Sequence, residues 1–444
     1  MIAGSQGPQK HNLVRGIGLW SLIALVVNFI IGAGIFGLPS AAAAILGAQS
    51  PFAYLIAAAG MGVIAACVAE VASRFQQAGG PYLYAKVAFG RFVGLQTGWL
   101  LWLTRVSSAA AVANIFIDYL AGFFPQAKQP LIRLGILTIL VGGLAVVNIR
   151  GVKLGAQVSN FFTIAKLLPL LILVVCGFVF IHLHGGLFPQ SADPHPTGTW
   201  IEAVLLLVYA FSGFESALIP ASEVKRPERN IPLALLAAFP VVTVIYFLIQ
   251  IVVVHTLPNS AQTHQPLSDT AYILGGAALA TIVSLGALLS TFGSLAANMI
   301  ANPRVTFAFA EQGDFPDFFA AVHRRYQTPY VSIIAFAMLL WALAFLGTFR
   351  WNATVSAISR LFSYVIACAA LPVLRKKQPG KEGFHLPGGV ALAVLGILFA
   401  LVLVSHMGRA ELIVLLITAA VSFLNWFVVR GRTNPSVDRL RKKS

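Results

Sequence analysis

Twelve apolar stretches, each of about 20 residues or more, follow one another almost without interruption at about 17–44, 51–73, 92–122, 131–149, 155–181, 200–220, 232–254, 277–301, 330–347, 353–374, 388–406 and 411–429. A helix of that length crosses roughly 30 Å of hydrocarbon. A soluble domain of 444 residues could not bury the apolar surface that 58% hydrophobic and 10% charged residues supply. The chain therefore reads as an all-α integral membrane protein with about 12 transmembrane helices. The first stretch is longer than a cleavable signal peptide and lacks a small-residue cleavage pattern, so it is expected to stay as a span.

Two of these stretches contain their own breakers. The run Asn28–Phe29–Ile30–Ile31–Gly32–Ala33–Gly34–Ile35–Phe36–Gly37–Leu38–Pro39 lies inside the first, and Phe211–Ser212–Gly213–Phe214–Glu215 lies inside the sixth. Backbone N–H and C=O groups released by an interrupted helix cost several kcal/mol each against hydrocarbon, so they persist only where protein, water or a ligand satisfies them. Paired glycine interruptions at matching places in two halves of a chain point to a transporter's substrate site. A blander reading of the glycines is close helix packing through small residues.

The formal net charge of +16 would suit a polyanion, but its distribution excludes nucleic acid as the expected partner. With the N-terminus placed in the cytoplasm, 23 of the 30 Lys and Arg residues fall in inner segments and the tail, and only Lys128, Arg133, Arg350 and Arg409 fall in outer loops. The positive-inside rule then puts both termini in the cytoplasm, across an even number of spans of the cell membrane. The tail Arg439–Leu440–Arg441–Lys442–Lys443 is suited to holding anionic membrane lipids or setting topology. Cys67, Cys176 and Cys368 all lie within spans, and His182, His184 and His195 lack ligand spacing, so neither a disulfide framework nor a metal or other cofactor is expected.

The chain reads as a single transmembrane domain: a first five-helix repeat over 13–181, a second over 200–374, two additional helices over 388–429 and a basic cytoplasmic tail over 430–444. Because five is odd, the second repeat inserts upside down relative to the first, which places both breaks in the first span of a half. Two inner loops stand out as a possible internal gate or as plain connections. One is Gln77–Ala78–Gly79–Gly80–Pro81–Tyr82–Leu83–Tyr84–Ala85; the other, expected at the mirror position, is Asn302–Pro303–Arg304–Val305–Thr306–Phe307–Ala308–Phe309–Ala310 with Glu311–Gln312–Gly313–Asp314–Phe315–Pro316 behind it.

These motifs, with Tyr209–Ala210 before the second break and Glu223–Val224–Lys225–Arg226–Pro227–Glu228–Arg229–Asn230–Ile231–Pro232 after it, resemble the amino acid, polyamine and organocation transporter superfamily, specifically its bacterial amino acid permeases. The resemblance runs through roughly residues 13 to 375; each motif is moderately specific, and their order and spacing together are highly so. It implies a LeuT-like five-plus-five inverted repeat with helices 1 and 6 broken. It also implies a substrate carboxylate on the amides around Ala33, Gly34 and Ile35, an ammonium on carbonyls near Ile30, Ile31, Tyr209 and Ser212, and Gly32, Phe211 and Gly213 as further substrate-binding residues. Helix-end dipoles favour the same placement of a zwitterion. Ala33 departs from the serine often found at its place, so a hydroxyl contact is missing while the amide remains.

Tyr209 and Phe211 are expected either to lid the substrate or to serve as core aromatics. Glu215, inside the sixth span, must be paired or neutral, and either links helices or acts in transport. Arg105 and Arg360 are expected to cap carbonyls or face an aqueous vestibule. The resemblance places Lys166 where sodium-coupled relatives hold a cation, with Ser290 and Thr291 as neighbours on the eighth span. Lys166 then either takes up and releases a proton or acts as a permanently charged pin.

The expected function is secondary active transport of an amino acid by alternating access, through proton symport or exchange. A polyamine or amine carrier and a non-transporting amino acid sensor stand as alternatives. Ala33 and Ser212 favour a neutral amino acid over an arginine-sized cation. Enzyme chemistry is not expected, for the chain has no H-E-x-x-H motif, no Gly-x-Ser-x-Gly elbow and no Walker sequence.

Overall fold

Every regular element among the described residues is helical. The computed structural model describes residues 18–75, 80–151, 156–184, 196–218, 224–257, 260–378 and 384–431, with side chains for all of these but 156–167 and 217–218. The side chain of Lys166, the segment Gln77–Ala78–Gly79, His195, Glu223 and the basic tail beyond Gly431 lie outside the described residues.

The first apolar stretch forms two helices, α1 (Leu19–Ile30) and α2 (Gly34–Leu46). The next four spans are α3 (Ser50–Ser73), α5 (Arg91–Leu120), α6 (Pro130–Ile149) and α7 (Ala156–His184), with the short α4 (Gly80–Phe89) between α3 and α5. The sixth stretch begins as α8 (Thr197–Leu207) and ends as a 3₁₀ segment, Phe214–Leu218. Then follow α9 (Pro227–Thr256), α10 (Pro266–Glu311), α11 (Tyr330–Leu346), α12 (Phe349–Lys377), α13 (Gly389–Val404) and α14 (Arg409–Val429). Among the described residues, seven helical stretches are long and apolar enough to cross a membrane, and shorter apolar helices accompany them.

Two sequence expectations need correction. The segment Asn302–Ala310 is not a loop: α10 runs through Pro303 to Glu311. It stays helical because its last turns bury against α4 and α5, where Phe309 packs on Tyr82 with ring centroids 4.6 Å apart and Thr306 accepts a hydrogen bond from Trp102 Nε1 at 3.0 Å. The chain turns only at Gly313, whose φ of +73° suits glycine. The element that follows α9 as α4 follows α3 is therefore a different one, the 266–274 piece of α10. It is set off from the main helix by non-helical Gly275 and Gly276.

α5 and α12 form the centre of the bundle and pack on each other, with α3 against α9 beside them. The flanks are different. Leu131, Ile139, Leu398, Leu416 and Leu424 are all exposed on α6, α13 and α14. Each such side chain would forgo about 1.5–3 kcal/mol of burial in water, a loss that lipid removes, so these faces are the membrane-facing ones.

At one end of the bundle the basic helix termini converge on two buried carboxylates. Lys86 Nζ and Arg91 Nε reach Asp314 at 2.9 and 2.7 Å, and Tyr82 donates its hydroxyl to the same group. Arg375 holds Glu70 through two bonds of 2.8 and 2.7 Å, with Arg74 at 3.1 Å and the Leu386 amide at 3.0 Å. Asn425 of α14 donates to the Asp314 carbonyl at 2.8 Å, which ties the penultimate turn of α14 into this clasp.

Candidate functional site

The first break is three residues of bare backbone. Ile31 (φ −72°, ψ 79°) turns the chain so that the Gly32 amide donates to Ile30 O at 2.7 Å, the geometry of an inverse γ-turn. Ala33 then caps α2 without a side-chain bond. The amides of Gly34 and Ile35 open α2, and first-turn amides have no acceptor within their own helix. A Cβ at Gly32 would meet nothing closer than 3.9 Å, so space lies beside the break. At Gly34 the space is filled: a Cβ there would sit 3.2 Å from two ring carbons of Tyr209.

The second break is longer. After Leu207 the chain tightens through Tyr209 N–H to Leu206 O and Ala210 N–H to Leu207 O, at 3.1 and 2.9 Å, and Ser212 Oγ donates to Tyr209 O at 2.6 Å. Gly213 has φ +106°, and a Cβ there would lie 2.5 Å from Phe29 O, so only glycine lets the two breaks touch. Tyr246 of α9 bridges them, its hydroxyl lying 2.9 Å from Ile30 O and 3.2 Å from Ala210 O. Sequence reasoning missed Tyr246, and nothing in the spacing of a tyrosine within an apolar span signals it. Ile30 O and Tyr209 O each already accept two internal bonds, which leaves the first-turn amides of α2 as the more open feature of the site.

The expected aromatics part company. Tyr209 covers Gly34 and meets Ser108 of α5, its hydroxyl 3.4 Å from the Ser108 hydroxyl and 3.3 Å from the carbonyl. Phe211 is turned away into a packed group with Tyr54, Phe239 and Tyr246.

Glu215 makes a buried ion pair with Arg360 of α12, accepts the Tyr364 hydroxyl at 2.9 Å and the Gly213 amide at 3.1 Å. The expectation that Arg360 caps carbonyls or faces a vestibule is thereby corrected: a carboxylate within reach outcompetes a neutral carbonyl for a guanidinium. Arg105 caps a side-chain carbonyl rather than a backbone one: its Nη1 donates to Asn302 Oδ1 of α10 at 2.7 Å. Ser290 and Thr291 are buried on α10, which packs against α7. Thr291 bonds back to Ala287 O at 2.7 Å, and Ser290 Oγ has no hydrogen-bond partner among the described residues.

A cavity of about 780 Å³ lies elsewhere, between the end of α5 and the start of α10. Lys128, His264, Asp269 and Ser284 line it, and none of the break residues does. Helix breaks, not concavity alone, define the candidate site, because released backbone groups inside a bundle need a partner.

The sequence model of the amino acid permease family matches residues 17–429. Among curated proteins, the branched-chain amino acid permease of Bacillus subtilis is 26% identical over 96% of this chain and 95% of the relative. The serine/threonine exchanger of the same organism is 28% identical over 85% and 88%. Its methylthioribose transporter is 27% identical over 85% of each.

Proposed function

The chain belongs to the amino acid permease family, and we propose that it moves an amino acid across the cell membrane by secondary active transport with alternating access. The family and most of the relatives support amino acid transport by a multi-pass membrane protein; the site, the cycle and the coupling are our reading. The relatives' names span branched-chain amino acids, serine and threonine, and methylthioribose, so kinship does not choose the substrate.

The observation that carries the reading is the contact between the two breaks, Gly213 on Phe29 O and Tyr246 on the carbonyls of Ile30 and Ala210, beside the open amides of α2. A substrate carboxylate docks on the N-terminal amides of α2, where the helix dipole favours an anion. Its ammonium takes carbonyls of the second break, and Tyr209 closes over Gly34. We assign the basic end with Asp314 and Glu70 to the cytoplasm by the positive-inside rule, with anionic lipid against it. The Asp314 clasp holds that end shut until the α4–α5 corner parts from α10. The first five spans and the next five are read as inverted repeats that rock about the breaks.

Lys166 is proposed to supply the coupling charge on α7, as a proton carrier in symport or a fixed pin in exchange. The buried, unpartnered hydroxyl of Ser290 across the seam supports a polar partner there. Purified protein in liposomes tests the whole reading. Counterflow of an amino acid is expected, with uptake driven by an imposed pH gradient in wild type and lost in Lys166→Arg, since arginine does not release its proton. Unchanged gradient-driven accumulation in Lys166→Arg leaves the pin in place and removes the proton role; binding without flux of any amino acid supports a sensor instead.

A further inference from the structure

We propose, resting on the transport reading above, that the substrate is an acidic amino acid and that Arg105 receives its side-chain carboxylate. Arg105 is the fifteenth of the 30 residues of α5, which puts it at the middle of that span. Ser108, one turn further on, meets Tyr209, and Tyr209 covers Gly34 at the first break. Arg105 thus stands on the face of α5 that leads to the site, and its side chain is only partly buried there.

The charge around it does not balance. Arg105 lies within Coulombic range of both Arg360 and Glu215. Glu215 is committed to Arg360, to Tyr364 and to the Gly213 amide. The other described acids sit near helix ends or in connections, except Glu202, which is exposed and paired with Arg350. Among the described residues, two cations therefore face one carboxylate at mid-bundle.

The partner Arg105 does have is neutral. Asn302 passes the bond on through its Nδ2 to Asn298 Oδ1 at 2.9 Å, and Asn298 donates to Ser294 O at 2.8 Å. Asn302, Asn298, Ser294 and Ser290 recur every fourth residue of α10, and none of them carries a counter-charge. A guanidinium has five N–H donors in a fork that matches a carboxylate, and an interior cation without a counter-ion is costly to keep. An anionic ligand group resolves that cost; a cationic side chain would add to it. This extends the expectation drawn from Ala33 and Ser212, which weighed only neutral against cationic substrates.

The test uses full-length protein in liposomes, with labelled glutamate, glutamine, leucine, serine and lysine offered separately. Glutamate uptake is expected to exceed glutamine uptake at least tenfold at equal low concentration, with no lysine uptake. Arg105→Gln should lower the glutamate-to-glutamine ratio at least tenfold, and Arg105→Lys should keep part of it. Glutamine or leucine taken up as well as glutamate overturns the inference and leaves the transport reading standing. Uptake of none of the five overturns the inference, and counterflow of none of the twenty amino acids, in protein that elutes as a single species, removes the transport reading itself. Replacing chloride by gluconate separates a second source of anion: loss of neutral amino acid uptake without chloride, with no glutamate preference, assigns Arg105 to an inorganic ion and overturns the proposal. If Arg105→Gln does not fold, the wild-type panel and Arg105→Lys decide: a lysine variant that keeps part of the glutamate preference supports the proposal, and one whose glutamate-to-glutamine ratio equals that of the wild type overturns it.

Discussion

Between Ile30 and Gly34 the first span gives up its helix for three residues and puts no polar side chain in the gap. Between Leu207 and Phe214 the sixth span gives it up for six residues and ties the gap with Ser212 and, just beyond, the Glu215–Arg360–Tyr364 cluster. Both interruptions release backbone groups inside a bundle; the second bonds all six of its amides internally, whereas in the first those of Ile31 and Gly32 are bonded and those of Gly34 and Ile35 open a helix. The contrast separates two jobs: the sixth span's break is braced so that it holds its shape, and the first span's break is left with amides for something that comes and goes. A buried ion pair is a poor source of net stability yet expensive to halve, which suits a brace.

Breaking the brace should have the largest effect. Arg360→Met leaves Glu215 buried without its cation and is expected to cost about 3–5 kcal/mol, read as a large fall in the thermal midpoint of detergent-purified protein; an unchanged midpoint would mean the pair braces nothing. Gly34→Val attacks the other break. A β-branched side chain would press on the Tyr209 ring where a single Cβ is already 3.2 Å away. Binding should weaken at least a hundredfold, about 2.7 kcal/mol, while the thermal midpoint moves much less; equal losses of both would erase the distinction between the breaks.

Tyr246→Phe sharpens the comparison, since one hydroxyl serves both breaks. Loss of hydrogen bonds worth about 0.5–1.5 kcal/mol each is expected to lower stability and affinity together, measured by thermal shift with and without substrate. The smallest change belongs to Ser212→Ala, whose hydroxyl closes a local turn onto Tyr209 O. Less than about 1 kcal/mol is expected in either readout, and abolished uptake would show that the hydroxyl itself meets the substrate.

The breaks were legible because glycine inside an apolar stretch is a local signal: Gly32, Gly34 and Gly213 could be placed at interruptions from their spacing alone. Glu215 was legible as a residue needing a partner, but the partner was not. Arg360 lies 145 positions away in sequence, and no periodicity links it to Glu215. The segment at Asn302–Ala310 was misjudged for a related reason. Proline and arginine suggested a loop, whereas burial of Thr306 and Phe309 against α5 and α4 kept the helix intact.

The sequence by itself determined that this chain is an all-α membrane protein, where its helices fail, and which family it belongs to, because span length, breakers and motif order are properties of neighbouring residues. Only the tertiary structure decided that the two breaks touch, that Tyr246 bridges them, that Glu215 is spent on Arg360, and that Arg105 is left facing neutral amides. Those outcomes depend on which helix faces which across the bundle, and a pairing of charges between distant spans is settled by packing rather than by anything written beside either residue.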